Sequence, residues 1–280
     1  MSAQGRVMML SGAAGGIGQG LTQALHALGH RLWLTDRDAD GIQAALDSAG
    51  LANSERIGFG ALDVRDPAGW DAQFDQARER FGEVDVLFNV AGYMRAANLL
   101  DTDASAVDMH MDVNTKGVMY GTQAAARRMA ARGTGHIVNV ASLMGVCPLP
   151  GFALYSASKH ATRGFSLATA MELREHGVYV TAVCPDAVDT GMLGEQLHQD
   201  AASIAFSGPS PLTVQQVVDT IVGRVLRERP MECTIAPPRS GRAVLSKAVA
   251  VAPGLAMLMK PVFTRLGEMS QRRARRRAEG

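Results

Sequence analysis

A tyrosine and a lysine stand four residues apart, at Tyr155 and Lys159, in a stretch whose pattern predicts a helix. Residues at this spacing lie on one face of a helix, so the phenol and the ammonium are neighbours. A free tyrosine has a pKa near ~10, which is too high for a base at neutral pH. A neighbouring ammonium favours the phenolate and lowers that pKa, which suits proton exchange with an alcohol. On its own, however, the pair is more typical of an exposed helix surface.

A glycine-rich turn, SGAAGGIG at residues 11–18, follows the first apolar run. Gly12 would form the turn, Gly16 would let the backbone approach a diphosphate, and Gly18 would allow tight packing of helix on sheet. The helix that follows offers free N–H groups and the positive end of its dipole to an anion. With a strand before it and a helix after it, the turn predicts a dinucleotide site.

Asp36 follows the second apolar run, 18 residues after Gly18. A carboxylate at this place accepts hydrogen bonds from an adenosine ribose and repels a 2′-phosphate, which favours NAD over NADP. Arg37 beside it can pair with a 2′-phosphate, so NADP remains the alternative. Asp36 also fits a purely structural role in a turn or as a helix cap.

Apolar runs alternate with helix-like stretches along the first 240 residues. Strands are predicted at 6–11, 31–35, 57–62, 84–89, 136–141, 178–183 and 233–236, and helices at 15–29, 38–50, 67–81, 106–131 and 154–176. The strands are continuous apolar runs, as burial on both faces of a parallel sheet requires. This order predicts one α/β domain over 1–240, a doubly wound parallel sheet of the Rossmann type. Residues 191–211 have few periodic apolar positions and are predicted to form a loose, mobile loop.

Four separated motifs agree with one known family. They are Gly12-x3-Gly16-x-Gly18, Asn89-Val90-Ala91-Gly92, Ser142 and Tyr155-x3-Lys159. In order and spacing the chain resembles the short-chain dehydrogenase/reductase family over about residues 5–236. The resemblance implies hydride transfer between NAD(H) and a secondary alcohol or ketone.

The resemblance implies catalytic roles for four residues. Tyr155 would be the acid/base, and Lys159 would lower its pKa and hold the nicotinamide ribose. Ser142 would hydrogen-bond the substrate oxygen, and Asn114 would bend a helix and hold a water of the proton relay. In oxidation the Tyr155 phenolate would remove the hydroxyl proton, and in reduction the phenol would protonate the carbonyl oxygen.

The resemblance also implies a set of cofactor contacts. They are Gly12, Gly16, Ile17, Gly18, Asp36, Arg37, Asp63, Val64, Asn89, Ala91, Gly92, Tyr155, Lys159, Pro185, Val188 and Thr190. Asp63 and Val64 would meet the adenine ring, and Pro185 and Thr190 would flank the nicotinamide carboxamide. Asp186 departs from the pattern, because the family usually has glycine after this proline.

The substrate pocket is predicted from residues that neighbour the motifs in sequence. The candidates are Met94, Met144, Leu149, Phe152, Met192 and Leu193. All are apolar, and methionine adapts to irregular ligands, although such methionines also fit loose core packing. No basic residue is among them, which argues against small carboxylate or phosphate substrates. We therefore expect a lipophilic secondary alcohol or ketone, such as a steroid, a fatty chain, a terpene or an aromatic compound.

The net charge of +1 conceals a split between the body and the C-terminal extension, residues 241–280. The extension carries nine Lys and Arg against two Glu, a balance of +7, so the first 240 residues balance to −6. Its apolar stretch at 248–259 is shorter than the roughly 20 residues that span a bilayer. The extension fits a subunit-interface or substrate-covering helix with a solvated basic end, or peripheral contact with an anionic membrane. Without interleaved aromatic residues, its arginines do not predict a nucleic-acid site.

Three cysteines without a CxxC pair fit a reducing compartment, and the N-terminus lacks a long apolar segment, so we expect a cytoplasmic protein. No cluster of His, Cys and carboxylates predicts a metal site. Two other functions stay open: an NAD(H)-sensing protein without turnover, and a sugar-nucleotide epimerase or dehydratase. The intact Ser142, Tyr155 and Lys159 disfavour the first, and the short, apolar stretch 190–280 disfavours the second. The family resemblance further implies a homodimer or homotetramer.

Overall fold

A seven-stranded parallel sheet forms the centre of the molecule in the computed structural model, which describes residues 5–208 and 210–279. The strands are β1 (Val7–Ser11), β2 (Arg31–Asp36), β3 (Ile57–Ala61), β4 (Val86–Asn89), β5 (Gly135–Val140), β6 (Val178–Pro185) and β7 (Glu232–Ile235). Their order across the sheet is β3-β2-β1-β4-β5-β6-β7, and all neighbours are parallel. The doubly wound Rossmann-type sheet and its seven predicted strands are thus confirmed.

Helices cover both faces of the sheet. They are α1 (Gly16–Ala27), α2 (Ala39–Ser48), α3 (Pro67–Phe81), α4 (Ala104–Met111), α5 (Gly117–Arg132), α6 (Ala153–Glu172), α7 (Gly191–Gly194), α8 (Val214–Thr220), α9 (Leu226–Glu228), α10 (Arg242–Val251) and α11 (Gly254–Glu279). Short 3-10 segments lie at Leu99–Asp101, Leu143–Gly145, Leu173–His176 and Asp200–Phe206, and π-helical turns at Asp112–Lys116 and Ile221–Val225. The sequence pattern did not predict α7, α8 or α9.

The core lies in two layers, one on each face of the sheet. One layer is formed by Leu21, Leu25, Ile42, Leu46, Val217 and Ile221, and the other by Trp70, Phe74, Ala77, Phe81, Ala125 and Met129. In β1, Met8 and Leu10 belong to the first layer, whereas Val7 and Met9 belong to the second. Successive side chains of a strand point to opposite faces, so a strand buried on both faces must be apolar throughout.

Aspartates cap three of the helices, α2, α3 and α4. The carboxylate of Asp38 accepts a hydrogen bond from Gly41 N at 2.9 Å at the start of α2. Asp66 and Asp103 accept in the same way at the starts of α3 and α4. Each carboxylate satisfies a backbone N–H that has no partner within its helix.

The loose loop predicted at 191–211 is wrong for much of its length. Residues 191–194 form α7, and Asp200–Phe206 forms a 3-10 segment whose residues 202–205 are buried. The buried side lies under α11, where a Cβ added to Gly267 would lie 2.1 Å from Ser203 O. This segment is buried by helix α11, which is distant in sequence. The periodicity of the segment itself could therefore not predict its ordered structure.

The C-terminal extension folds back onto the body as α10 and α11. Gln271 Nε2 donates to Leu197 O at 3.0 Å and to Gln199 O at 2.8 Å. Arg275 forms an ion pair with Asp200 at 2.9 Å. The extension therefore packs against the segment that follows β6, and its predicted roles at a subunit interface, over the substrate or on a membrane stay predictions.

Candidate active site

The glycine turn lies at the carboxyl end of β1, where the order of the sheet reverses between β1 and β4. Ligands of open α/β sheets bind at such a switch point. Gly12 has φ +72°, and a Cβ there would lie 2.5 Å from Ala91 N. A Cβ on Gly18 would lie 2.2 Å from Gly12 O. Only glycine fits either position, because the obstructing atoms belong to the backbone.

The amino end of α1 is left open toward this turn. Its N-cap is Gly15, no side chain caps the helix, and its first turn carries no acidic residue. The first N–H groups of a helix have no partner within it, and they bind anions well. A nicotinamide dinucleotide therefore fits the turn, with its diphosphate against the start of α1.

Asp36 lies at the carboxyl end of β2, beside the glycine turn. Its Oδ2 accepts a hydrogen bond from Ala14 N at 3.0 Å, which holds the carboxylate against the turn. Arg37 is exposed, and its guanidinium makes no ion pair within the described part of the chain. The structure thus brings the carboxylate, rather than the guanidinium, into contact with the predicted dinucleotide turn.

Asp63 and Val64, which follow β3, have different surroundings. Arg65 holds the Asp63 carboxylate through Nε at 2.9 Å, and this hydrogen bond keeps the pKa of Asp63 below its usual value. Val64 is buried in the core, and its side chain lies where a Cβ on Gly117 would be. The predicted adenine contact of both residues stays a prediction.

Asn89 and the residues after it brace the centre of the sheet. Asn89 Nδ2 donates to Asn139 Oδ1 of β5 at 2.8 Å. Gly92 lies further along, where an added Cβ would be 3.4 Å from Asn114 Oδ1. The hydrogen bond between Asn89 and Asn139 joins β4 and β5 beside the site, and the predicted cofactor contacts of Asn89, Ala91 and Gly92 stay predictions.

Asn114 lies in the π-helical turn between α4 and α5 and is fully buried. Its Oδ1 accepts from Tyr93 N at 2.7 Å, and its Nδ2 donates to Tyr93 O at 2.8 Å and Ser158 Oγ at 3.0 Å. Its carbonyl oxygen accepts from Thr162 Oγ1 at 2.7 Å. The irregular turn, a common feature of functional sites, lets Asn114 tie the loop after β4 to α6. Its role in holding water stays a prediction.

A cavity of about 400 Å³ opens beside these elements. Tyr155, Lys159 and Ser142 all line it, as do Ile17 and Thr190 from the cofactor set. The cavity therefore reaches from the glycine turn to the Tyr–Lys helix. Residues separated by more than a hundred positions in sequence meet here because their strands end at one edge of the sheet.

Burial governs the ionisation of Tyr155 and Lys159. It raises the pKa of Tyr155 to about 12, while the Ser142 side chain acts in the opposite direction. It also lowers the pKa of Lys159 to about 8. Lys159 Nζ donates to Val140 O at 2.9 Å and lies 5.7 Å from the centroid of the Tyr155 ring. The cost of burying a phenolate therefore sets the net direction in this structure, and the lowering of the Tyr155 pKa by Lys159 stays a prediction.

Five of the six predicted pocket residues line the cavity: Met94, Met144, Leu149, Met192 and Leu193. Phe152 is the exception. It is 1% exposed and packs in a cluster with Ala96, Ala202 and Tyr155, behind the cavity wall. Phe152 precedes α6, and its ring is buried against the segment that α11 covers. The short distance in sequence between Phe152 and Tyr155 did not reveal this contact.

The extension supplies much of the remaining lining, which the motifs did not predict. Its lining residues are Arg242, Leu245, Ser246, Val249, Ala256, Met257, Met259, Lys260 and Phe263. Two of them, Arg242 and Lys260, are basic, so the expectation of a pocket without basic residues is wrong. Asp186 was the one signal in the sequence for a basic residue in the lining, because a buried carboxylate in an apolar wall is stabilised by a cation.

Asp186 receives that cation from the extension. The Arg242 guanidinium donates to both carboxylate oxygens, with Nη2 at 3.1 Å from Oδ1. Asp186 is almost fully buried, and Ala187 N also donates to it at 2.9 Å. The charge is therefore neutralised within the cavity wall.

Comparisons with known proteins agree with this geometry. A family model described as short chain dehydrogenase matches residues 6–201. The L-2,3-butanediol dehydrogenase of Corynebacterium glutamicum is 34% identical over 222 residues, which cover 73% of this chain and 86% of that protein.

Solved structures share the fold of the chain. A short chain dehydrogenase/reductase from Burkholderia phymatum in complex with NAD has a TM-score of 0.78 and 25% identity, covering 93% of this chain and 96% of that one. ElxO with NADP bound has a TM-score of 0.75 and 22% identity, covering 86% and 99%. The glycine turn, the Tyr–Lys helix and these matches together show that the chain belongs to the short-chain dehydrogenase family.

Proposed function

We propose that this oxidoreductase transfers hydride between NAD(H) and a secondary alcohol or ketone that has a lipophilic body. One observation carries the proposal. Tyr155, Lys159 and Ser142 line a single, largely apolar cavity that also reaches the glycine turn. The dinucleotide, when bound, supplies the hydride chemistry, and the protein supplies proton transfer, orientation and exclusion of water.

In the reducing direction, Tyr155 donates the proton. A phenol whose pKa is about 12 is protonated at neutral pH, so it can give its proton to a carbonyl oxygen as negative charge develops there. Ser142 lies at the same wall and donates a hydrogen bond to that oxygen, which strengthens as the charge grows.

In the oxidising direction, Tyr155 must lose its proton before it can act as a base. The charged form of Lys159, 5.7 Å from the ring centroid, favours that loss. A high tyrosine pKa makes oxidation more demanding than reduction at neutral pH. We therefore expect oxidation to accelerate as the pH rises into the alkaline range.

The preference for NAD rests on Asp36. Its carboxylate is held at the glycine turn by Ala14 N, on the side where an adenosine ribose would lie. A 2′-phosphate brought to this position would meet a negative charge. Related structures contain either NAD or NADP, so the preference is a proposal about this chain alone.

The lipophilic substrate is supported by the lining of the cavity. Apolar side chains form most of it, with methionine, leucine, valine and alanine the commonest, and the charge of Arg242 is paired with Asp186. Burial of apolar surface contributes roughly 25 cal/mol per Å², which favours ligands with extended apolar bodies. Short, polar alcohols would leave most of this surface uncovered.

The test is a spectrophotometric assay of the purified protein with NAD and with NADP. The substrates would be a steroid, a long-chain secondary alcohol, a terpene alcohol and, as the polar comparison, 2,3-butanediol. We expect turnover with NAD and higher kcat/KM for the lipophilic alcohols. Activity confined to polar sugars or short diols would contradict the substrate class. Binding of NADH without turnover of any substrate would favour an NAD(H)-sensing protein.

We also infer that the chain forms a homodimer or homotetramer, as the family resemblance implies. Sedimentation velocity over a range of protein concentrations tests this. A monomer throughout that range would contradict it.

A further inference from the structure

The outer side of the extension carries a row of exposed apolar side chains. In α11, Leu258, Val262, Leu266 and Met269 follow one another at intervals of three or four residues, and each is between 43% and 78% exposed. Residues at this spacing share one flank of a helix. Large apolar side chains are ordinary on a surface when scattered, but a continuous row indicates an interaction surface.

Helix α10 repeats this pattern on a smaller scale. Val244 and Val251 are 75% and 87% exposed, and Lys247 lies between them at helical spacing. The opposite sides of α10 and α11 face the cavity, through Val249, Phe263 and their neighbours. The extension is therefore apolar on both sides, and the body covers only one of them.

Unpaired positive charge accompanies the exposed row. Arg265, Arg272, Arg273 and Arg276 are exposed, and none forms an ion pair with any residue the structure describes. Within α11 the only described carboxylate side chain is that of Glu268. A surface that combines apolar side chains with uncompensated cations complements the headgroup region of an anionic lipid bilayer.

The extension is not built to cross that bilayer. Among the described residues no helix is both long enough and apolar enough to span a membrane. An amphipathic helix can instead lie in the plane of the interface, with its apolar row among the acyl chains and its cations at the headgroups.

We propose that α10 and α11 dock this protein on the surface of an anionic membrane. The same two helices form part of the cavity wall, so docking would place that wall next to the acyl chains. This arrangement suits a lipophilic substrate that partitions into the bilayer. The docking itself does not depend on the proposed dehydrogenase activity, because it rests on the outer side of the helices alone.

The test is co-sedimentation of the full chain with vesicles, without cofactor or substrate. Vesicles of phosphatidylcholine with phosphatidylglycerol are compared with vesicles of phosphatidylcholine alone. We expect binding to the anionic vesicles that weakens as salt is added, because exposed charges are screened. Each Lys or Arg near an anionic surface is worth about 1 kcal/mol, so replacing Arg265, Arg272 and Arg273 by Gln should weaken binding on the order of a hundredfold.

A second variant removes the apolar row, through Leu258→Ser, Val262→Ser and Met269→Ser. Matched controls carry Leu99→Ser with Leu100→Ser, at an exposed site outside the extension, and Arg127→Gln with Arg227→Gln. Circular dichroism would confirm that every variant is folded. We expect both extension variants to lose binding and both controls to keep it.

Three results would overturn the proposal. One is the absence of wild-type binding to anionic vesicles, and another is an equal loss of binding in the controls. The third is a serine variant that still binds vesicles but sediments as a smaller species, which would identify the apolar row as a contact between copies of the chain. Because this assay measures no turnover, its outcome is separate from that of the substrate assay.

Discussion

Asp186 and Arg242 form an ion pair that joins the end of β6 to the start of α10, across 56 positions of sequence. The pair links two features of the sequence. One is a carboxylate where the family resemblance implies a glycine, and the other is the basic extension. The Arg242 guanidinium neutralises the buried Asp186 carboxylate, and the same ion pair attaches the start of the extension to the cavity wall.

Breaking this pair should loosen the wall of the cavity. In Arg242→Gln the Asp186 carboxylate stays buried without its cation, which is costly in a poorly solvated site. We expect KM for lipophilic substrates to rise several-fold with a smaller change in kcat, and faster proteolysis within residues 241–279. Steady-state kinetics and limited proteolysis measure both effects.

The double variant Asp186→Asn with Arg242→Gln completes a mutant cycle. We expect the two changes to be non-additive by about 1–3 kcal/mol in the free energy of unfolding, because the residues are in contact. The exposed pair Arg224–Glu228 is the control, and its cycle should show less than about 1 kcal/mol. Additive effects at Asp186 and Arg242 would show that the pair does not anchor the extension.

The variant Tyr155→Phe removes the proton donor and leaves the ring in place. General acid–base catalysis contributes about 10²–10⁴-fold, so we expect kcat to fall at least a hundredfold. Binding of NADH, followed by fluorescence titration, should persist. Tyr120→Phe, a tyrosine outside the cavity, is the control. Substantial turnover by the Tyr155 variant would exclude the proposed mechanism.

Asp36→Asn separates the charge of this residue from its hydrogen bond. The amide keeps an oxygen that can accept from Ala14 N, but it no longer repels a 2′-phosphate. We expect the ratio of kcat/KM for NAD to that for NADP to fall on the order of tenfold, equivalent to about 1.4 kcal/mol. Asp40→Asn makes the same charge change at an exposed position nearby and should leave the ratio unchanged. A wild-type preference for NADP would contradict the role given to Asp36.

His136 should make the fold sensitive to acid. It is buried in β5, its Nε2 hydrogen-bonds with Thr181 Oγ1 at 2.9 Å, and burial lowers its pKa to about 3. Between pH 6.5 and pH 3 the unfolded chain therefore binds a proton at this residue that the folded chain does not. The free energy of unfolding consequently decreases as the pH is lowered. From pH 7 to pH 5 we expect this residue to lower the free energy of unfolding by about 2 kcal/mol.

Urea denaturation at the two pH values measures this effect. In His136→Gln the pH dependence should be smaller by roughly that amount, because glutamine does not titrate. His198→Gln, at an exposed histidine, should behave like the wild type. An unchanged pH dependence in the His136 variant would assign the acid sensitivity to other groups.

The strands, the glycine turn and the Tyr155–Lys159 pair could be predicted from the amino-acid sequence alone. These features depend on local spacing: a continuous apolar run marks a strand buried on both faces, and residues four apart share a helix face. Gly18 belongs to the same class, because the atom that excludes a side chain there, Gly12 O, lies in the same strand–turn–helix connection.

Three features could be read only from the folded chain: the burial of Tyr155, the exclusion of Phe152 from the cavity and the pairing of Asp186 with Arg242. Each of these depends on which distant segments come together and how much water they exclude. Burial raised the tyrosine pKa even with a lysine beside it, and α11 ordered a segment that had no apolar pattern of its own. Long-range packing sets solvation and charge pairing, and local spacing does not encode either of them.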